Sequence, residues 1–477
     1  MLSLLLYTVE QRSFTVKIFY FFFNLFWSAL FYIPLPGGTR LGIPLLVLIL
    51  IPLGIFYTIY LRGVQFRKFP LMIKLTLEKK GAHPGALSGM QALLVSTATR
   101  VGMGNLVGVV AAVSAGGPGA VFWMWLSALL GGATAFVEGT LAQKFKTEDK
   151  LYGGFKGGPA YYLDHLYRGK KKKSVIAVLF ALSGLLCWCG ISQVIGNSVT
   201  SALDNAFNID PLVSTIVLVA LSAVIVLRKN TTVKAVDVIV PVMAVLYFCV
   251  TVFIIIKNIT LIPSVIASIF REAFNVRSAV AGGLGAVLMN GVKRGLFSNE
   301  AGSGSAPCAA AAASVSNPVN AGLLQSLGVF IDTIVICSCT AFIMLLSPES
   351  VTAGKSGMDL LQSAMVYHMG PAGSILIAVT LFLFSFSTFI GVLFYARSNV
   401  SYVFGENWLS QTLYKVLALV MLFVGGLAEY TFVWDLGDFG IALMTVFNLF
   451  ALLPLSKMVK GMLTDYEKDL RNRKIKA

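Results

Sequence analysis

Thr97, Thr99, Arg100 and Asn105 lie inside an apolar run, Gly89 to Val113, that is long enough to cross a bilayer and also carries Gly102 and Gly104. Glycine weakens a helix, and backbone freed from helical pairing is tolerated at membrane depth only where it lines a protein cavity. Polar groups gathered around such a break are the material of a solute site. Small residues also serve close helix packing, which accounts for the glycines but not for an arginine.

A second stretch, Ala279 to Ser305, is interrupted in a comparable way, and Arg294, Asn299 and Gly302 repeat the spacing of Arg100, Asn105 and Gly108. Paired interruptions in two halves of a chain point to inverted repeats around a central site. Asn105 and Asn299 are expected to follow the breaks, where each could cap the next half-helix or coordinate a cation. A third polar feature is the run Phe384, Ser385, Phe386, Ser387, Thr388. Membrane-helix hydroxyls commonly bond back to the preceding turn, yet hydroxyl and freed carbonyl oxygens are also the hard ligands of an alkali cation. Among the ionisable residues inside predicted spans, Arg100, Glu138, Arg294, Glu300 and Asp332 are singled out. Buried charges persist when paired, so mutual neutralisation stands beside a coupling role for this set.

The elements that must position these residues are transmembrane helices. The chain of 477 residues is 57% hydrophobic and only 12% charged, the composition of one polytopic membrane domain. About eleven segments reach the length a bilayer requires: 43–61, 88–113, 119–143, 174–200, 211–228, 236–256, 279–303, 318–346, 372–395, 411–429 and 437–456. Val16 to Pro34 is dense in aromatic residues and nearly long enough to span; it reads as an interfacial helix, with an extra span as the alternative, within an N-terminal segment 1–42. Placing 62–87 on the cytoplasmic side gives 26 basic residues in cytoplasmic segments against 4 in the alternate loops. That asymmetry fits the positive-inside rule and puts the basic tail 457–477 in the cytoplasm. It also explains the net charge of +16 as topology and attraction to anionic lipid, with no nucleic acid required.

Several chemistries are excluded. Six cysteines lie in or beside apolar runs and read as small buried hydrophobes, and three histidines, His83, His165 and His368, fall in predicted loops, too dispersed for a metal cluster. The glycine-rich stretch Gly153 to Pro159 lacks the Lys-Ser/Thr of a phosphate loop. No zinc-protease or nucleophile-elbow motif is present, so an enzyme is not expected.

Seven strings together identify a relationship: GMGNLVGV (102–109), GGPGAVFWMW (116–125), LAQKF (141–145), GGPAYY (157–162), RGLFSNEAGSGSAP (294–307), FIDT (330–333) and FSFST (384–388). With these the chain resembles the prokaryotic alanine or glycine:cation symporter family, the sodium:alanine symporters or amino acid carrier proteins, from about Ile43 to the C-terminus. The resemblance implies an all-α polytopic protein of the leucine-transporter fold. It would have a peripheral helix 43–61, then two inverted five-helix repeats, 88–256 and 279–456, each opening with a broken helix. It also implies sodium-coupled uptake of a small neutral amino acid across the prokaryotic inner membrane, with lipid around it, no cofactor beyond the coupling ion and no obligatory protein partner. A proton-coupled carrier or one for larger apolar amino acids is the alternative; a channel or a membrane-embedded enzyme is further from the pattern.

By the same resemblance, the amides of Gly102, Met103 and Gly104, beside Asn105, receive the substrate carboxylate. The carbonyls of Ala98 and Val101, with Phe384, Ser387 and Thr388, hold sodium. The physical chemistry agrees: a half-helix starting near Asn105 presents N–H groups and a positive dipole end, and one ending near Thr99 presents carbonyls. Family members often carry glutamine near position 195 and tryptophan near 392, where this chain has Ile195 and Val392. Both positions are expected beside the substrate, so the resemblance leaves substrate size open.

Overall fold

The computed structural model describes residues 14–34, 40–76, 93, 100–170, 172–228, 233–274 and 283–472. The chain opens with helix α1 (Phe14–Trp27), followed by an antiparallel hairpin of β1 (Ala29–Pro34) and β2 (Arg40–Pro44), then α2 (Leu45–Tyr60). The interfacial helix expected over 16–34 therefore ends at Trp27 and gives way to strand. Beyond α2 come α3 (Gly104–Gly116) and α4 (Gly119–Lys144), then a short helix α5 (Pro159–Tyr167). Four more helices follow, α6 (Val175–Phe207), α7 (Pro211–Val226), α8 (Val233–Lys257) and α9 (Ile262–Ala273).

The second half contains α10 (Gly283–Asn299), α11 (Pro307–Ala312), α12 (Pro318–Leu345), α13 (Gly357–Met369), α14 (Pro371–Phe404), α15 (Trp408–Leu427) and α16 (Tyr430–Arg471). Local chemistry sets many of these boundaries. Asp210 and Asn317 accept amide hydrogens from the first turns of α7 and α12, and each is followed by a proline at the first helical position, where no donor is needed. Asn208, in the left-handed conformation, closes α6.

Six helices among the described residues are long and apolar enough to span a membrane: α4, α6, α12, α14, α15 and most of α16. A seventh candidate is the apolar part of α8 together with the following helix, bent by 79°. Three shorter apolar helices, α2, α3 and α7, supplement them. The chain is thus a polytopic helical membrane protein. Several predicted loops prove structured. Segment 257–278 holds the amphipathic α9, and the described histidines lie on short helices, His165 on α5 and His368 on α13. His83 lies outside the described residues. The last span starts at Tyr430, and the tail from 457 to 471 continues the same helix.

Helix α6 packs on α14, α15 and α16. Its crossing with α15 depends on glycine: a Cβ at Gly196 would sit 2.2 Å from the Leu422 carbonyl, and one at Gly425 2.1 Å from that of Gln193. Trp188 fills the adjoining core. All described cysteines are free, and all are buried except Cys249, which the apolar reading had placed inside.

Candidate functional site

The first break lies where the glycines predicted it. Arg100 is helical, Val101 and Gly102 form a turn, and α3 begins with a π-helical segment, Gly104–Gly108. π-Segments are uncommon and recur at functional sites. The Gly102 N–H is shared between the Arg100 carbonyl and Asn105 Oδ1, each at 2.9 Å. The Met103 N–H donates to Thr388 Oγ1 at 3.2 Å. Two of the three predicted carboxylate-binding amides are therefore held by neutral oxygens. Gly104 allows the close approach of α10, since a Cβ there would stand 3.3 Å from Ser298 Cα.

Within α14, Ser387 and Thr388 both donate to the Phe384 carbonyl at 2.8 Å. Back-bonding uses the hydroxyl hydrogens and leaves oxygen lone pairs, so three oxygens cluster in one helical turn beside the first break. Val101 is buried at the turn, and Ala98 lies outside the described residues. Ile195 on α6 and Val392 on α14 are both 1% exposed, on helices that pack together.

Asp332 joins these parts from a second π-helical segment, Phe330–Cys337. Its carboxylate accepts from Asn105 Nδ2 at 2.7 Å, Ser298 Oγ at 2.9 Å and Thr333 Oγ1 at 2.7 Å. Asn105 thus spans two groups: its oxygen holds the Gly102 amide, and its nitrogen holds Asp332.

The second break lies elsewhere than the spacing suggested. Helix α10 continues through Arg294 and Asn299, and the backbone turns only at Glu300 (φ 57°), Gly302 (φ 94°) and Gly304 (φ 83°) before α11. Asn299 therefore precedes its break, accepting from the Ala301 N–H at 3.0 Å, whereas Asn105 follows its own. Gly302 lies in the break and Gly108 in a helix, so the matched spacing does not mark equivalent positions. Glu138 of α4 fills the second break: Oε2 accepts the Gly302 N–H and Oε1 the Gly304 N–H, both at 2.9 Å. Asn448 of α16 adds a bond to Glu138 Oε1 at 2.6 Å and is itself held by Tyr162 of α5 at 2.5 Å.

The expected mutual neutralisation of five charges is found for one pair. Arg100 Nε stands 4.0 Å from Glu300 Oε2, linking the two breaks, while Arg100 also donates to the Gln325 carbonyl and Tyr395 to Glu300. Glu138 and Asp332 are satisfied by neutral donors. Arg294 pairs instead with Asp438, through two bonds of 3.1 and 3.0 Å, and Lys293 reaches the same carboxylate at 2.6 Å. Lys293, Asp438 and Asn448 did not emerge from the sequence; the intramembrane position of Asp438 in the predicted span 437–456 was the available signal. Among the described residues no group of three or more His, Cys, Asp or Glu could hold a metal ion, so a cation here would depend on carbonyl and hydroxyl oxygens.

Comparison with known proteins gives one family. The family model of the sodium:alanine symporters matches residues 38–477. The amino-acid carrier protein AlsT of Bacillus subtilis (strain 168) is 42% identical, covering 88% of this chain and 89% of that protein. The probable sodium/glutamine symporter GlnT of the same strain is 41% identical over 88% and 87%. The sodium/alanine symporter AgcS of Methanococcus maripaludis is 35% identical over 87% and 92%. Among solved structures, a manganese transporter variant from Eremococcus coleocola shares the fold with a TM-score of 0.50 at 15% identity, covering 81% of this chain and 82% of that one.

Proposed function

The chain belongs to the sodium:alanine symporter family, and from that premise we propose that it carries a small neutral amino acid into the cell together with sodium by alternating access. As a family member it is a cation-coupled amino acid symporter and a multi-pass membrane protein, not an enzyme. In this reading a peripheral helix 43–61 precedes repeats 88–256 and 279–456, and the C-terminus is cytoplasmic, on the side of the basic loops.

The observation that carries the site assignment is the unequal filling of the two breaks. The second already holds a carboxylate, that of Glu138, whereas the amides of the first are met by neutral oxygens. A substrate carboxylate is the stronger acceptor and displaces Asn105 Oδ1 and Thr388 Oγ1 from Gly102 and Met103, with the Gly104 amide beside them. Thr388, released from Met103, then turns its oxygen to sodium, with Ser387 and the carbonyls of Phe384, Val101 and Ala98. Substrate and ion are coupled because one frees a ligand of the other. Asp332, through Asn105, supplies negative charge beside the ion and carries the change to α12.

In this reading Ile195 and Val392, buried on helices that pack together, limit the substrate side chain. Their types, and the likeness to a probable glutamine symporter, favour a second reading in which the pocket accepts residues larger than alanine. Proteoliposome uptake of an amino acid panel, with and without a sodium gradient, tests both. We expect sodium-dependent alanine uptake, and in Ser387→Ala/Thr388→Ala a half-saturating sodium concentration raised roughly tenfold or more, because two oxygen ligands are lost. Uptake driven by a proton gradient alone, or unchanged sodium dependence in the double variant, overturns the ion assignment.

A further inference from the structure

Helix α1 precedes residue 38, where the family match begins, yet it is docked on charges of the family core. Its Trp27 is 3% exposed and donates through Nε1 to the Asp438 carbonyl at 3.1 Å. Lys293 Nζ lies 4.9 Å from the Trp27 ring and 5.2 Å from the Phe23 ring. On the far side of the cluster, the Arg294 guanidinium stacks 3.8 Å over Trp434 of α16. Two cations on α10 and one carboxylate on α16 are thus enclosed by aromatic walls, one of which comes from outside the family match. The hairpin after α1 also grips α10: a Cβ at Gly285 would be 2.8 Å from the Gly42 carbonyl.

This arrangement bears on the broken helix directly. Lys293 and Arg294 sit seven and six residues before Glu300, about 10 Å along the helix from the second break. Ser298, between them, packs against Gly104 and donates to Asp332. Separating α10 from the head of α16 breaks both ion pairs and draws Ser298 away from the first break. An ion pair at membrane depth needs full enclosure to be favourable, and the indole and phenyl faces supply it.

We propose that α1 is a strap that holds the half-helix Gly283–Asn299 against the head of the last helix, with Trp27, Lys293 and Asp438 as positioning residues that set how often the two part during transport. Trp27 holds both partners at once, its ring over the Lys293 ammonium and its N–H on Asp438. The strap touches neither proposed ligand, so its influence is on the balance of conformations. Since a site assembled for a fraction of the time binds with proportionally reduced apparent affinity, loosening the strap raises the half-saturating substrate concentration.

The test uses full-length protein in liposomes with spin labels at Met289→Cys and Phe432→Cys, on a Cys249→Ser background. Trp27→Ala is expected to enlarge the long-distance population roughly fivefold and raise the half-saturating alanine concentration about threefold or more, while maximal rate per folded protein is kept or increased. Trp27→Phe, which keeps a ring but lacks the N–H, should fall between Ala and wild type in both readouts. Where Trp27→Ala fails to accumulate, Lys293→Gln supplies the same comparison, since it leaves the strap intact but removes the cation it covers. Label distances and half-saturation identical to wild type in Lys293→Gln or in Trp27→Ala overturn the proposal. A distance shift without any amino acid uptake in the parent protein would retain the strap and reject the transport reading instead.

Discussion

The two helix breaks differ in what fills them. At the second, three alternate positions of positive φ, Glu300, Gly302 and Gly304, shape the turn around Glu138, and the carboxylate is tied onward to Asn448 and Tyr162. At the first, a single turn is held by the Asn105 amide oxygen and the Thr388 hydroxyl, whose donor groups are engaged elsewhere, Asn105 Nδ2 with Asp332 and the Thr388 hydroxyl with the Phe384 carbonyl. A charged internal acceptor makes the second break a fixed joint, because removing it leaves buried donors unmet. Neutral acceptors make the first break exchangeable. Under the proposed function, ligand exchange belongs to the first break and mechanical connection to the second, although both interrupt apolar helices.

The sharpest way to break this contrast is Glu138→Ala. Two buried N–H groups lose their acceptor, at about 1–3 kcal/mol each, and the Asn448 amide keeps only its bond to the Gly302 carbonyl, so we expect little folded protein and no uptake. Glu138→Gln, with one acceptor oxygen, should recover part of the folded yield measured by size-exclusion chromatography. Normal yield and stability in Glu138→Ala would show that the second break does not depend on its carboxylate.

A paired glycine substitution sharpens the comparison further. At Gly304, φ is 83° and a Cβ would meet Pro159 Cγ at 2.6 Å and the Phe180 ring at 2.8 Å, so Gly304→Ala should cost about 1–3 kcal/mol of stability. At Gly104 the nearest atom is Ser298 Cα at 3.3 Å, a contact relieved by a shift of a few tenths of an ångström, and Gly104→Ala should cost under about 1.5 kcal/mol. Uptake per folded protein should nevertheless fall more in Gly104→Ala. Thermal unfolding and uptake measured on the same preparations decide it; the reverse order of stabilities would erase the distinction between joint and site.

The smallest effect is expected far from both breaks. Glu467 Oε1 lies 2.5 Å from Arg67 and 3.2 Å from Lys68, and although partial burial works against ionisation, these bonds hold its carboxyl below the ordinary range. A depressed carboxyl stabilises the fold above its unfolded value, and that contribution is lost as pH falls through the folded one. Glu467→Gln should therefore lower thermal stability slightly near pH 7, by about 0.5 kcal/mol, and leave it unchanged in strong acid. Uptake should be untouched.

Much of the helical framework was legible because a bilayer demands long apolar runs, and these stand out from loops in any hydropathy reading. The first break was legible because Gly102 and Gly104 interrupt such a run beside polar residues. The second was displaced because its sequence, from Glu300 to Ser305, turns on alternating small residues, while the spacing of Arg294 and Asn299 suggested a match that the backbone does not make. Partnerships were the least legible. Arg294 and Asp438 are separated by 144 positions, and Asn448 and Glu138 by 310. No local pattern announces a bond across such a distance, because only the packing of helices brings the partners together. For the same reason, the ionisable set read from the sequence omitted the carboxylate that Arg294 uses.

Helix α16 runs through 42 residues, roughly 63 Å at 1.5 Å per residue, about twice the thickness of a hydrocarbon core. Near its beginning, Asp438 is clasped by Lys293, Arg294 and Trp27; near its end, Glu467 is clasped by Arg67 and Lys68. Between them, Asn448 touches Glu138 and Tyr57 holds the Leu452 carbonyl. Such an element acts as a tie rod anchored at both ends, with one built-in point of compliance at Pro454, where the proline interrupts the hydrogen-bond ladder. Tilting its head tightens or slackens its foot, so the two faces of the membrane share a mechanical load through a single continuous helix.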